Sequence, residues 1–263
     1  MYAEHFGLKE LPFSLTPDTQ FFFGHASYQE AFNTLLVAAR SGEGFIKVVG
    51  EVGTGKTLLC RKFLNALEAE GFVTAYIPNP YLEPMTLLLA VADELGVAFP
   101  EHTNQHQLLK LLTEFLIRTH AAGHRVVLCL DEAQAMPIET LETLRLLTNL
   151  ETESRKLLQV VLFGQHELDE KLSLPRVRQL RQRITFSGRL RPFELHETDV
   201  YLAHRLSVAA AASVLQADFG ERVTGATLAG AFFNATALVA FAADSLTSPI
   251  VLSAEVCAVL PGL

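Results

Sequence analysis

Residues 50–57 carry the feature that most constrains the fold of this chain. They read Gly-Glu-Val-Gly-Thr-Gly-Lys-Thr and match the phosphate-loop pattern G-x-x-x-x-G-K-S/T in full. The apolar run from Phe45 to Val49 precedes them and predicts a strand, and the residues from Thr57 onward have helical spacing. Because a phosphate loop acts between a strand and a helix N-terminus, this context favours a phosphate-binding site over an ordinary glycine-rich turn.

The residue types of this loop suit phosphate and metal binding. Gly53 and Gly55 let backbone N–H groups surround phosphate oxygens without a Cβ in the way, and Lys56 supplies a positive charge to the β- and γ-phosphates. The Thr57 hydroxyl is a candidate ligand for Mg²⁺. The predicted nucleotide-binding residues are Gly50, Glu51, Val52, Gly53, Thr54, Gly55, Lys56, Thr57 and Leu58.

A second apolar run, Val126 to Leu130, ends in two adjacent carboxylates, Asp131 and Glu132. Two acids at a strand end are ordinarily a solvated turn. Phosphoryl transfer, however, needs both a metal ligand and a group that orients water, and the same chain carries a complete phosphate loop. We therefore interpret the pair as a Walker B element in which Asp131 holds Mg²⁺ through its water shell and Glu132 orients and polarises the attacking water.

Gln165 follows a further buried-strand run at residues 157–163 and has two interpretations. Its amide either contacts the γ-phosphate or the attacking water, or it caps the helix that begins near His166.

Arg181 and Arg183 lie beside a predicted helix end, with Arg189 and Arg191 close behind. These arginines either reach the nucleotide of a neighbouring subunit or form a solvated basic helix face.

The wider pattern predicts an α/β fold, because apolar runs alternate with segments of helical period. The predicted strands are 45–49, 73–77, 126–130 and 157–163, and the predicted helices start near residue 57 or cover 84–95, 105–120 and 138–150.

Charge and composition restrict the function classes. Twenty-one Lys and Arg against 29 Asp and Glu give a net charge of −8, which argues against a uniformly basic nucleic-acid binder and leaves a local basic patch open. The three cysteines are too widely spaced to predict a disulfide framework or a zinc site. The first residues do not resemble a secretory signal peptide, so we expect a cytoplasmic protein.

Several motifs taken together resemble the ExeA/GspA ATPases of secretion systems, including those associated with the mannose-sensitive haemagglutinin (MSHA) type IV pilus. They are Phe6-Gly-Leu8, Pro12-Phe13, Thr16-Pro-Asp18, the loop at 50–57, Leu130-Asp-Glu-Ala-Gln134, the segment 144–152, Phe163-Gly-Gln-His-Glu-Leu168 and Leu180-Arg-Gln-Arg-Ile184. The resemblance covers about residues 1–206. It implies a P-loop NTPase of the AAA+ type, with a central parallel five-stranded sheet flanked by helices.

The same resemblance implies ATP and Mg²⁺ as ligands, ATP hydrolysis, assembly into a homo-oligomer, and a place beside an inner-membrane pilus or secretion apparatus, at most peripheral to the membrane. It also implies that Gln165 acts as sensor 1 and that Arg181 or Arg183 acts on the nucleotide of a neighbouring subunit. Nucleic acid is not an expected partner. A DNA-associated regulator of the transposition type and a nucleotide-gated scaffold with little turnover remain the alternatives.

Two departures from that family stand in this sequence. His166 replaces the usual proline of the Gln-Pro-Glu-Leu segment, which changes only how the next helix starts. After Arg205-Leu206 the expected helical lid with a Gly-x-Pro-Arg sensor 2 does not follow. We therefore predict a core with an N-terminal arm over residues 1–195 and a helical lid-like segment over 196–263, atypical after about residue 207.

The atypical tail admits three interpretations. Twenty-one uncharged residues lie between Arg222 and Asp244, a length that could span a bilayer. The other two interpretations are buried lid helices and an aberrant terminus that arises from a shifted reading frame.

Overall fold

The computed structural model describes residues 8–13, 19–147 and 156–210. The chain forms two compact units. The larger unit comprises residues 16–193, and the smaller one comprises residues 1–15 together with 194–263, of which 8–13 and 194–210 are described.

The larger unit is built on a parallel five-stranded sheet, as predicted. Its strands follow the order β2-β3-β4-β1-β5, so β4 lies between the strand that precedes the phosphate loop and the strand that precedes the paired carboxylates. The strands are β1 (Phe45–Gly50), β2 (Val73–Ile77), β3 (Val126–Leu130), β4 (Leu158–Gly164) and β5 (Ile184–Leu190).

Eight helices belong to the described part of the chain. They are α1 (Ala26–Ser41), α2 (Lys56–Ala69), α3 (Pro84–Glu94), α4 (Gln105–Ala121), α5 (Ile138–Leu147), α6 (Glu167–Ser173), α7 (Arg178–Arg181) and α8 (Leu195–Ala209). Short 3₁₀ turns cover Thr19–Phe21, Ala133–Ala135 and Pro175–Val177.

Local sequence accounts for several of these helix boundaries. Pro84 stands in the first turn of α3, where its missing N–H costs nothing. Asn104 and Gln107 form a reciprocal capping box at the start of α4. Gly42 ends α1 in the left-handed conformation, with φ of +80°.

Two apolar clusters cover the two faces of the sheet. Successive side chains of β3 belong to different clusters. Leu128 packs in the cluster with α3, α4 and α5, whereas Cys129 packs in the cluster with α1 and α2. Strands buried on both faces explain the continuous apolar runs in the sequence. This packing holds the carboxyl ends of β1, β3 and β4 at one edge of the sheet, where the phosphate loop and the polar residues after β3 and β4 lie.

The smaller unit contains α8, which begins with a capping box between Glu194 and Glu197. The Lys9 N–H donates to the Ala209 carbonyl over 2.8 Å, and the Arg205 guanidinium donates to the Pro12 carbonyl. These bonds explain why the N-terminal arm groups with α8, whereas the sequence-based division placed the arm with the core. Within the described ranges, no helix is both long enough and apolar enough to cross a bilayer. The three interpretations of the tail concern residues outside those ranges.

Candidate nucleotide-binding and catalytic site

The phosphate loop connects the end of β1 to the start of α2, as its sequence context predicted. Gly53 and Gly55 have φ of +79° and +84°, a left-handed conformation that side-chain-bearing residues rarely adopt. Gly50 meets a different requirement, because a Cβ there would lie 3.0 Å from the Leu190 carbonyl oxygen. The loop therefore depends on glycine for conformation at two positions and for space at a third.

Lys56, the first residue of α2, lies against the loop with only 6% of its surface exposed. Its Nζ donates to the carbonyl oxygens of Gly50 and Glu51, each over 2.9 Å. The ammonium group is thus held beside the α2 N-terminus, and the helix dipole adds positive potential there. Lysine charge and helix N-terminus together form an anion-binding site.

The Thr57 and Asp131 side chains meet although they lie 74 positions apart in the chain. Thr57 Oγ1 donates to Asp131 Oδ2 over 2.7 Å, and the Tyr76 hydroxyl approaches the same oxygen at 3.4 Å. Burial raises the pKa of Asp131, while the hydrogen bonds from the Thr57 hydroxyl and the Glu132 N–H oppose that rise. Carboxylate and hydroxyl oxygens are hard ligands, so this pair of donors fits Mg²⁺.

Glu132 has an unusual backbone conformation. Its φ is +52°, and among the described residues no other non-glycine residue has a positive φ. One carboxylate oxygen, Oε2, accepts hydrogen bonds from the side-chain amides of Gln134 and Gln165, the latter over 3.3 Å. Strained backbone of this kind occurs preferentially at functional sites.

The Gln165 side chain contacts Glu132 and does not cap α6, so the capping interpretation is wrong. The N-cap residue of α6 is His166, and no side chain forms a cap hydrogen bond there. Gln134, by contrast, was not among the predicted site residues. The only signal for it was its place in the Leu130-Asp-Glu-Ala-Gln134 motif, which did not indicate a contact.

The remaining loop residues lie at the rim of the site. Val52 is 76% exposed, and the Thr54 hydroxyl donates to the Glu51 carbonyl over 2.8 Å. The Glu51 carboxylate lies 3.1 Å from His166 Nε2, so the residue that replaces the usual proline contacts the phosphate loop. Leu58 is half-buried in the first turn of α2.

Comparison with known proteins identifies the family. The AAA domain family matches residues 39–172, just over half of the chain and all of the site described above except its arginines. The chain belongs to the AAA domain family. General secretion pathway protein A of Aeromonas hydrophila is 43% identical over 209 residues, which confirms the predicted ExeA/GspA-type grouping. The match covers 80% of this chain and 38% of that protein, so this chain spans well under half of its relative's length.

Solved structures support the AAA fold. Cdc6p of Pyrobaculum aerophilum superposes with a TM-score of 0.58 at 20% identity, covering 74% of this chain and 55% of that one. The ORC2 protein of Aeropyrum pernix superposes with a TM-score of 0.55 at 18% identity, covering 75% and 57%. At these identities the likeness concerns the fold alone.

Two predicted site residues, which follow the matched AAA segment in the chain, make no hydrogen bond to the cluster around Asp131. Arg181 is exposed on α7, and Arg183 is half-buried just before β5. Neither takes part in the hydrogen bonds of Lys56, Asp131 or Glu132. Within one chain, the AAA domain therefore brings together all the predicted catalytic residues except the two arginines.

Proposed function

We propose that this chain is a Mg²⁺-dependent ATPase. The observation that carries the proposal is the contact between Thr57 and Asp131, in which candidate metal-binding oxygens of two distant motifs lie 2.7 Å apart. Glu132 follows directly, with its carboxylate at the same edge of the sheet. An anion site, a hard-metal site and a candidate base in one place fit nucleotide hydrolysis.

Each residue of the site has a role in this proposal. The loop N–H groups and Lys56 bind the phosphates of ATP. Thr57 and Asp131 would hold Mg²⁺, which would supply positive charge to the phosphates. Glu132 accepts a proton from the attacking water and orients it. The Gln165 amide lies beside Glu132, and we assign it the role of sensing the γ-phosphate.

The name of the relative supports a proposal about the process in which this ATPase would take part. General secretion pathway protein A is identical to this chain at 43% of 209 aligned residues. We infer that this chain assists assembly or regulation of a type II secretion-like or MSHA-type pilus apparatus. It would act as a homo-oligomer at the cytoplasmic face of the inner membrane, in contact with the membrane at most peripherally.

Steady-state ATP hydrolysis with Mg²⁺ tests the proposal, with nucleotide affinity measured in parallel by a fluorescent ATP analogue. Lys56→Ala should bind ATP weakly, because it loses the phosphate-binding charge. Glu132→Gln should bind ATP as the wild type does and lose turnover by roughly 10² to 10⁴, the usual range for a general base. Lys110→Ala and Glu114→Gln on the exposed face of α4 are the matched controls.

The outcomes separate the alternatives. Turnover by Glu132→Gln at the wild-type rate would show that Glu132 is not the base. Wild-type protein that binds ATP without hydrolysing it would support the nucleotide-gated scaffold instead.

A second candidate, a DNA-associated regulator, is favoured by the charge of one segment. Residues 175–192 contain six arginines and no acidic residue, in a chain whose net charge is −8. At least three of these arginine side chains, at 176, 178 and 181, are exposed. Duplex binding that needs ATP and weakens steeply with salt would support this function. ATP turnover that is indifferent to DNA, with no binding at low salt, would exclude it.

A further inference from the structure

We propose that Gln134 is a positioning residue that holds the Glu132 carboxylate and connects it to Gln165. This inference rests on the proposed ATPase function, in which Glu132 is the base. The inference assigns to Gln134 two contacts, one with the base Glu132 and one with Gln165. These contacts connect the ends of two neighbouring strands, β3 and β4.

The backbone of Gln134 is fixed from two sides. The residue lies in the 3₁₀ turn Ala133–Ala135 directly after the Walker B carboxylates, and Ala133 is completely buried. Lys171 of α6 donates from Nζ to the carbonyl oxygens of Gln134 and Met136, the second over 2.9 Å. The Cα of Gln134 is therefore held in a fixed position relative to β3 and α6.

Both ends of the Gln134 amide are engaged. Its Nε2 donates to Glu132 Oε2, and its Oε1 accepts the backbone N–H of Gln165 over 3.0 Å. A primary amide supplies both a donor for the carboxylate and, on a separate atom, an acceptor for the N–H. Since Gln165 Nε2 also approaches Glu132 Oε2, the three residues form a closed set of hydrogen bonds between the ends of β3 and β4.

Gly164 leaves the space that this arrangement needs. A Cβ at position 164 would lie 3.1 Å from Gln134 Oε1 and 2.9 Å from Leu168 Cδ2. The φ of Gly164 is not positive, so its small size matters here and its conformational freedom does not. A methyl group would require both Leu168 and the Gln134 amide to move, so Gly164→Ala disturbs the contact with the Gln165 N–H from the opposite side, together with the packing of Leu168.

The two amides orient the Glu132 carboxylate by binding one of its oxygens. Glu132 has a left-handed backbone and a half-buried side chain, and the two amides bind only one of its oxygens. The other oxygen, Oε1, remains able to accept a proton from water. A base must be held within about 0.5 Å of its productive position, so loss of the Gln134 bond should slow the chemical step and leave ATP binding intact.

Three substitutions separate positioning from packing. Gln134→Met keeps the length and loses both hydrogen bonds. Gln134→Glu keeps the shape and the acceptor for the Gln165 N–H, but it loses the donor and brings a like charge against Glu132. Gly164→Ala displaces the amide. Gln105→Ala, an exposed amide at the start of α4, is the control. Turnover number, ATP affinity and thermal unfolding temperature are measured for each variant.

We expect kcat to fall at least tenfold in the two Gln134 variants and in Gly164→Ala, with ATP affinity changed by less than about threefold. Gln134→Glu should be at least as slow as Gln134→Met. A role in packing alone predicts the reverse order, because Glu is the closer isostere and retains one bond. That reverse order, or kcat values within twofold of the wild type, would overturn the proposal.

A spectroscopic measurement on the nucleotide-free protein tests the contact itself. The side-chain amide resonance of Gln134, assigned by its loss in Gln134→Met, should shift when Glu132 is replaced by Gln. An unchanged resonance would contradict the bridge. The ATPase proposal is tested separately by wild type against Glu132→Gln: if Glu132→Gln loses turnover while the Gln134 variants retain it, only the positioning role fails. If the wild type shows no turnover, both proposals fail.

Discussion

The hydroxyl of Thr57 donates a hydrogen bond to the carboxylate of Asp131 over 2.7 Å, joining the first turn of α2 to the end of β3. The strands that lead to these two residues are not neighbours, because β4 lies between β1 and β3. The contact therefore depends on the loop after β1 reaching across the end of β4. That geometry makes the site sensitive to changes at either partner.

Replacement of Thr57 should alter the metal requirement. In Thr57→Ala a proposed metal ligand is lost, so we expect half-maximal hydrolysis to need at least tenfold more Mg²⁺. Thr57→Ser keeps the hydroxyl and should behave within about threefold of the wild type. The measurement is a Mg²⁺ titration of turnover at saturating ATP. Equal Mg²⁺ dependence of the Ala and Ser variants would show that the hydroxyl is not a ligand.

Because the Asp131 carboxylate is buried, the free energy of unfolding should fall as the pH rises through its titration range. Burial raises the pKa of Asp131 in the folded protein, so the native state binds more protons than the unfolded state between the two pKa values. Ionisation of Asp131 therefore lowers stability as the pH rises through that interval. It contributes most favourably below the unfolded pKa, about 3.9.

Asp131→Asn isolates this dependence, because the amide does not titrate. We expect the free energy of unfolding of the wild type, relative to Asp131→Asn, to decrease as the pH rises from about 4 towards neutrality. Each unit of pKa difference is worth about 1.4 kcal/mol. Urea unfolding of both proteins without Mg²⁺ or nucleotide, across that range, measures it. A constant or rising difference would contradict the direction assigned to this pKa.

Phe63 should be important for stability because it packs α2 against the sheet. Its side chain is completely buried in the cluster with Cys129 and Phe163. Phe63→Ala should cost about 3–5 kcal/mol, the usual range for removing a buried aromatic ring. Val37→Ala, at a half-exposed position on α1, should cost much less. Urea unfolding monitored by far-UV circular dichroism compares the two.

Arg181 and Arg183 should act between subunits if they act in catalysis at all. An arginine supplied by a neighbouring subunit contributes roughly 10³ to 10⁵ in rate in related phosphoryl transfers. Specific activity should then rise steeply with protein concentration and should fall in Arg181→Ala or Arg183→Ala without loss of ATP binding. Flat specific activity across a dilution series would argue that these arginines only form a solvated basic face.

Several elements were predictable because their signals are local. The phosphate loop is recognisable from eight consecutive residues, and β1 to β4 are recognisable as apolar runs, since both faces of a central sheet must be buried. β5 was expected only from the family resemblance. It is an edge strand whose Thr185, Ser187 and Arg189 side chains are exposed, so its sequence lacks the apolar run. Helix α1, before the loop, was not predicted either.

The sequence by itself determined which chemical groups are candidates for binding phosphate and metal, because motif spacing on single elements specifies them. The tertiary structure alone decided which groups meet: Thr57 with Asp131, and Glu132 with Gln134 and Gln165. It also decided that the Gln165 amide lies against Glu132 and does not cap α6. The physical reason is that side-chain contacts between strand ends depend on sheet order and on space such as that at Gly164, neither of which a local pattern encodes.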